Sequence, residues 1–419
     1  MVSSVMLNLF TAPLLRCRPG MPGCWTRRGG TFSSAHGWYV SSARRGLMGW
    51  FSWATRVQYT FDCRAGGGAR SGRAAWRMVR VVRQIWITGT GGPGKLQVRE
   101  VPDPMPKDGE VRIRVRAAGI NFADILAREG LYPDAPKLPA VVGYEVSGVI
   151  DALGAGVDEA LRNKEVFALT HFGGYSECVV VPADQAIPKP QTLSHEQAAA
   201  IPVNYLTAWQ LLVVMGSLKP TESVLIHNAG GGVGLAAIDI ARHVGATIYG
   251  TASAGKHAFL KQRGLDHPID YRTGDWSAEL DRLTQGRGVE LITDPIGGAQ
   301  WRKSYRALRA TGRLGMFGAS TATESKLFGP LRLLSVGVNL PWYNPLMLMN
   351  RNRSVFGVNL GHLWHEREKL REWTGTLLQG VADGWVRPHV DKTFPFAQAG
   401  EAHAYISARK NTGKVVLVP

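Results

Sequence analysis

Val224 to Ala237, reading VLIHNAGGGVGLAA, constrain the fold of this chain more than any other stretch. An apolar run suited to a buried strand ends at His227 and Asn228. A glycine cluster follows, and then Leu235, Ala236, Ile238, Ile240 and Ala241 recur at helical spacing. Gly232, Gly234 and Ala237 fit the G-x-G-x-x-G/A pattern of a strand, turn and helix that holds a dinucleotide pyrophosphate. Glycine is expected here on two grounds. A side chain would hold the phosphate off the backbone amides, and a tight turn calls for unusual dihedrals. Alone the motif is weak, because a flexible glycine loop reads the same way. Its flanks give it weight.

From Glu222 onward strands and helices alternate. Strands are expected at Val224–His227, Thr247–Thr251, Leu291–Asp294, Arg313–Phe317 and Val355–Val358. Helices are expected at Val233–Val244, Lys256–Arg263, Ser277–Thr284, Gln300–Leu308 and Glu366–Ala382. That alternation predicts a parallel sheet with helices on both faces. Residues 84–190 instead read as short strands between Gly/Pro turns, among them Val111–Val115 and Cys178–Val181, which predicts a small β-barrel. The terminal run Lys414–Val418 is expected to return to that barrel and make it discontinuous.

The formal charge of +17 is uneven. Residues 1–77 hold eleven Arg, no Lys and a single acid, Asp62, and so carry +10 of it. The basic balance therefore says little about the rest, and no nucleic-acid motif is present. Cys17, Cys24 and Cys63 also lie in this leader, so the body, with Cys178 alone, forms no internal disulfide and suits a reducing compartment. Three readings of the leader stay open: an organelle transit peptide, a disordered extension, or translation from upstream of a natural start at Met78. The expected compartment is cytoplasmic, or mitochondrial if the leader is a transit peptide. No stretch reaches the ~20 apolar residues of a membrane span, and membrane contact is not expected.

Seven ordered motifs carry a family likeness: Ala118–Asp124, Gly130–Pro133, Gly143–Glu145, Asn204–Ala208, Ala229–Gly234, Asp294–Gly298 and Gly413–Val418. Over residues 84–419 the chain resembles the medium-chain dehydrogenase/reductase superfamily, in its zinc-free quinone oxidoreductase (zeta-crystallin-like) branch. Asn204–Ala208 and the apolar stretch Thr321–Asn350 look most similar to homologues of the synaptic vesicle amine-transport protein. The resemblance implies an α/β chain: a GroES-like β-barrel domain over 78–203, completed by 384–419, and a Rossmann doubly wound parallel-sheet domain over 204–383. The cofactor would lie between them.

The zinc enzymes of that superfamily carry His where this chain has Tyr144, and Asn121 stands near their cysteine. Zinc requires three or four Cys, His or carboxylate ligands, so no metal is expected, and His362 with His365 reads as a solvated pair. Without a metal to polarise an alcohol, hydride transfer needs an acceptor activated by conjugation, which points to quinones and α,β-unsaturated carbonyls. No acid lies between residues 240 and 265 to bind a ribose hydroxyl, which favours NADPH over NADH. Ser253 and Lys256 are the expected holders of its extra phosphate; the resemblance carries the phosphate lysine onto Lys256 and the stacking tyrosine onto Tyr271. Gly231, Gly232, Val233 and Gly234 are expected at the pyrophosphate. Phe317 and Gly318, with Gly315, are expected at the nicotinamide.

Asn121 is the expected contact of the nicotinamide ribose, by resemblance, with a loop-satisfying Asn as the bland alternative. Tyr132 is a candidate proton donor; a cleft-wall aromatic is the equal alternative, with water as donor. A tyrosine often found in the family is Leu126 here, which suggests a more apolar pocket. Asp124 reads as structural, Glu145 as a support of the barrel–cleft junction, and Arg409, Lys410 and Lys414 as a solvated charge run, with help to the phosphate from any of the three as the alternative. Trp342, Tyr343, Leu346, Met347 and Met349 are expected to pack on their own domain, with a cover for the substrate cleft, a subunit contact and a membrane-surface contact as the alternatives. The strand at 355–358 is expected at a sheet edge, where relatives pair as homodimers. The function expected is a zinc-independent NADPH-dependent quinone or enone reductase. The alternative is an NADPH-binding, vesicle- or lipid-associated protein with little turnover.

Overall fold

A computed structural model describes residues 57–59, 78–323 and 340–419. The rest of the leader and the centre of the apolar stretch, residues 324–339, lie outside the described residues.

The second half is built on six parallel strands. They are β10 (Ser223–Ile226), β11 (Thr247–Ala252), β12 (His267–Asp270), β13 (Val289–Asp294), β14 (Leu308–Met316) and β15 (Ser354–Gly357). Their order is β12-β11-β10-β13-β14-β15, the doubly wound order in which chain direction across the sheet reverses beside β10. Strand β12 was not anticipated. Pro268 and the polar His267 and Asp270 break its apolar pattern, which an edge strand tolerates because one side needs no partner. As expected, β15 forms the other edge.

Helix Gly232–Val244 leaves the reversal point. Leu235, Ile238 and Ile240 bury completely beneath it, each contributing roughly 1.5–3 kcal/mol. Gly245 ends it at φ +89°, donating to Ala241, a left-handed cap that any side chain would strain. Asp239, also buried, is held by the Tyr205 hydroxyl (2.7 Å), by Arg387 (2.7 Å) and by Arg263. A buried carboxylate needs such pairing.

The first half is a barrel of mostly antiparallel strands. Its largest sheet centres on β4 (Glu110–Ile120), which pairs with β6 (Glu145–Leu153) and β8 (Cys178–Pro182). Alternate residues Val111, Ile113 and Val115 fill the barrel. The stretch is not all-β, because helix Phe122–Arg128 follows β4 directly. Tertiary packing of Ala127 into the barrel core, with Ile125 buried beside it, overrides the strand-like context. The terminal strand β17 (Lys414–Val418) does return: Val415, Val416 and Leu417 pair antiparallel with Ile120, Gly119 and Ala118. In the leader, β1 (Val57–Tyr59) pairs antiparallel with residues 78–80.

Tyr343, Met347 and Leu348 pack on the core under β13 and β14, as expected of this segment. Trp342, Leu346 and Met349 do not: Trp342 is 85% exposed. A seven-residue helix, Pro345–Arg351, half-buries Met347 and Leu348 and leaves its other face in solvent.

Candidate active site

One cavity of about 1290 Å³ runs between barrel and parallel sheet. Asn121, Tyr132, Gly231, Gly232, Val233, Gly234, Ser253, Lys256, Tyr271, Phe317 and Gly318 all line it. Gly315 does not; it sits within β14, where an added Cβ would meet the Phe356 ring at 2.7 Å. Lys256, Arg409 and Lys414 also line the cavity, and among the described residues no carboxylate does. Such a cleft attracts anions.

At one end lies the glycine turn. Its glycines do not supply positive φ; the left-handed residue is Asn228, at φ +53°. The glycines are needed for closeness. A Cβ on Gly232 would lie 2.7 Å from the Asn204 amide, and one on Gly234 would lie 2.4 Å from the Asn228 carbonyl. Asn204, which donates to the Ala200 carbonyl at 3.0 Å, therefore braces the turn from outside the motif. The C-terminal segment braces it too, as Gly413 donates to the Gly230 carbonyl at 2.9 Å. Helix Gly232–Val244 points its amino end, with unpaired N–H groups, into the cavity.

Beyond Ser253, Lys256 lies across the turn. Its ammonium donates to the carbonyls of Arg409 (3.3 Å) and Asn411. Three ammonium protons leave capacity for a further acceptor. Burial lowers its pKa. At Tyr271 burial acts to raise the hydroxyl, but hydrogen bonds from Arg272 and Arg409 outweigh it and the pKa falls. Arg409 thus belongs to this site rather than to a solvated run.

Toward the other end, Asn121 precedes helix Phe122–Arg128. Its carboxamide is fixed at both atoms: Nδ2 donates to Glu145 at 3.0 Å, and Lys414 donates to Oδ1 at 2.6 Å. Lys414 and Glu145 also pair directly, both almost wholly buried, and Glu145 accepts from the Val203 amide at 2.7 Å. Glu145 thus ties barrel to cleft as expected. Lys414 overturns the solvated-charge reading, since its partners are distant in sequence. Behind this group, buried Asp124 accepts from the amides of Asn121 (2.8 Å) and Gly143 (3.1 Å) and from the Tyr175 hydroxyl (3.1 Å). Burial pushes its carboxyl up to about 6.

Tyr132 meets Tyr144 edge to face, with ring centroids 6.3 Å apart. Burial raises both hydroxyls, so each is protonated at neutral pH. Across the mouth, the loop after β15 reaches the barrel: Asn359 and His362 bond Asp134 at 3.1 and 2.9 Å. His362 stays largely exposed, as expected of a solvated residue, while its ring contacts Asp134. Among the described residues no group of three His, Cys, Asp or Glu side chains is placed to hold a metal, and no helix is long and apolar enough to cross a membrane.

A doubly wound sheet with a glycine turn at its reversal point, facing a barrel across an anion-attracting cavity, defines an oxidoreductase of the nicotinamide-binding class. Comparison with known proteins agrees. Residues 107–191 match the alcohol dehydrogenase GroES-like domain, and residues 263–417 match the zinc-binding dehydrogenase family. The human synaptic vesicle membrane protein VAT-1 homolog is 39% identical over 347 residues, covering 81% of this chain and 87% of that protein. Human quinone oxidoreductase is 30% identical over 344 residues, covering 81% and 98%. The crystal structure of Escherichia coli quinone oxidoreductase complexed with NADPH superposes with a TM-score of 0.71 at 31% identity, covering 80% of this chain and all of that one. The chain belongs to the medium-chain dehydrogenase/reductase superfamily, among the quinone oxidoreductases and VAT-1 homologues.

Proposed function

We propose that this chain is a zinc-independent, NADPH-dependent reductase of quinones or α,β-unsaturated carbonyls. The observation that carries the reading is the single cavity that joins a glycine turn, three cations and a tyrosine pair with no carboxylate among its described walls. NADPH is favoured by Lys256 standing where an NAD site places an acid, and the Escherichia coli relative was solved with NADPH. The cradle fits the group. The turn has no room for side chains, and Lys256 retains donor capacity beside it.

In this reading the backbone of Gly231, Gly232, Val233 and Gly234 binds the pyrophosphate, Ser253 and Lys256 take the extra phosphate, and Tyr271 stacks on the adenine. Phe317 and Gly318 flank the nicotinamide, and Asn121, held by Lys414 and Glu145, orients its ribose. When bound, the reduced nicotinamide supplies a hydride to the electrophilic carbon of the acceptor. Tyr132 hydrogen-bonds the acceptor oxygen as negative charge grows there, and either its proton or one from water completes the reduction. The residue types at the positions of Asn121 and Tyr144 support zinc independence, since neither supplies the usual thiolate or imidazole.

The kinship with VAT-1 homologues supports a second reading: NADPH binding with little turnover, in a vesicle- or lipid-associated protein. The exposed apolar face around Trp342 is the feature that suits it. NADPH and NADH oxidation by the purified protein, followed against a panel of quinones and enones, separates the two. Turnover with NADPH preferred supports the reductase. Tight NADPH binding with no acceptor reduced supports the second.

A further inference from the structure

The substrate end of the cavity is not closed by a smooth wall. A second cavity, of about 560 Å³, adjoins it, and Leu169 and Trp364 line both. Rings lead from one to the other. Tyr144 lies 4.9 Å from Phe172, Phe172 lies 5.1 Å from His171, and His171 lies 5.0 Å from Trp364, centroid to centroid. With Tyr132 at the near end this makes a continuous run of rings, each tilted against the next by between 36° and 88°, that can meet a conjugated body with both faces and edges.

The lining of the second cavity is not neutral to chemistry. Ser176 is fully buried, and its hydroxyl has no hydrogen-bond partner; the indole N–H of Trp364 is likewise buried and unpartnered. Buried donors are normally satisfied, and both of these residues belong to the lining of this one space. His171, His365 and Arg367 line the same space, and no carboxylate does. Arg367 contacts Asp184 at 3.4 Å on one side. It also opens the sixteen-residue helix Arg367–Ala382, between Glu366 at the cap and Glu368 in the first turn.

We infer that this second cavity is a subsite for the tail of an extended conjugated substrate, and that the tail ends in a carboxylate or similar anionic acceptor. The head lies on the Tyr132–Tyr144 side for reduction. The body follows Phe172 and His171, and the acceptor reaches Ser176, Trp364 and Arg367 beyond the Trp364 edge. The inference rests on the reductase reading for the head group alone.

The test uses the full chain with NADP⁺ present. Calorimetric titration compares phenylhexanoate with phenylhexanol, which share length and ring but not charge. Steady-state rates compare a benzylidene ketone carrying a carboxyalkyl tail with butenone, which is too short to reach the subsite. The acid should bind about tenfold tighter than the alcohol, the worth of one or two charge-assisted hydrogen bonds. That preference should vanish in Ser176→Ala and in Arg367→Gln, while butenone turnover stays at the wild-type value in both. Equal affinity for acid and alcohol, or a preference that survives both substitutions, overturns the subsite. If neither ketone is reduced, the reductase reading falls, and the calorimetric preference still decides the subsite by itself.

Discussion

The two ends of the main cavity are assembled differently. At the nucleotide end, most of the lining comes from the turns that follow β10 and β11 and from the residue just after β12, one βα unit apart, with Arg409, Asn411 and Gly413 added from the C-terminal segment. At the substrate end, Asn121, Tyr132 and Tyr144 from the barrel meet residues 203–210 and 359–364, and Lys414 closes the group from nearly 300 residues away. Local strand–turn–helix grammar writes the frame of the first. Packing between distant segments writes the second, so it varies freely while the fold stays fixed.

Four substitutions break or sharpen this contrast. The largest effect is expected at the long-range end. Lys414→Met strands Glu145 as a buried charge, and loss of one member of a buried pair costs about 3–5 kcal/mol. A matching fall in denaturant-midpoint stability checks it; a neutral result means that Glu145 is satisfied without Lys414. Tyr132→Phe comes next. Loss of a general acid should lower kcat about 100-fold with cofactor affinity unchanged, measured by steady-state rates and NADPH fluorescence titration. Unchanged kcat assigns the proton to water. At the nucleotide end, Lys256→Glu should raise the KM for NADPH about tenfold or more, since a charge-assisted contact is replaced by repulsion. NADH should be nearly unaffected; an equal response of both cofactors removes Lys256 from the phosphate site.

The smallest effect concerns pH. Tyr175 lies between Asp124 and His403, at 3.1 Å from each. Burial raises the Asp124 carboxyl from 3.8 to about 6 and lowers the His403 imidazole from 6.5 to about 3. The folded state holds the Asp124 proton more tightly, so its contribution is full below about 4 and is lost as pH rises through about 6. It holds the His403 proton less tightly, so that contribution is full above about 6.5 and is lost as pH falls toward about 3. The two oppose each other across pH 4–6. Asp124→Asn should unmask the histidine, giving a stability that rises more steeply from pH 4 to 6.5 than in the parent chain. Urea unfolding along a pH series checks this, and parallel curves would show that the pair does not set the slope.

The same contrast explains what the sequence disclosed. Five parallel strands, the glycine turn and the returning β17 were legible because burial period and turn residues repeat locally. Strand β12 was hidden by Pro268, and helix Phe122–Arg128 by the strands around it. Lys414 looked solvated because a cluster of basic residues near a terminus carries no hint of a carboxylate 269 residues earlier. Asn204 and Gly413 brace the glycine turn through contacts that no local pattern encodes. The positive φ at Asn228 was assigned to its glycine neighbours because glycine is the default for that conformation.

Strand β17 has a consequence for how the molecule is made and lost. Residues 118–120 pair with 415–417, and the intervening chain builds the whole parallel sheet. A fragment holding only the first half would leave the end of β4, residues 118–120, as a raw edge open to pairing with any passing strand. The halves are thus poor candidates for independent folding. Heat or denaturant should dissolve them in a single cooperative transition, and a ligand gripping the glycine turn would protect the distant barrel as firmly as the sheet it touches.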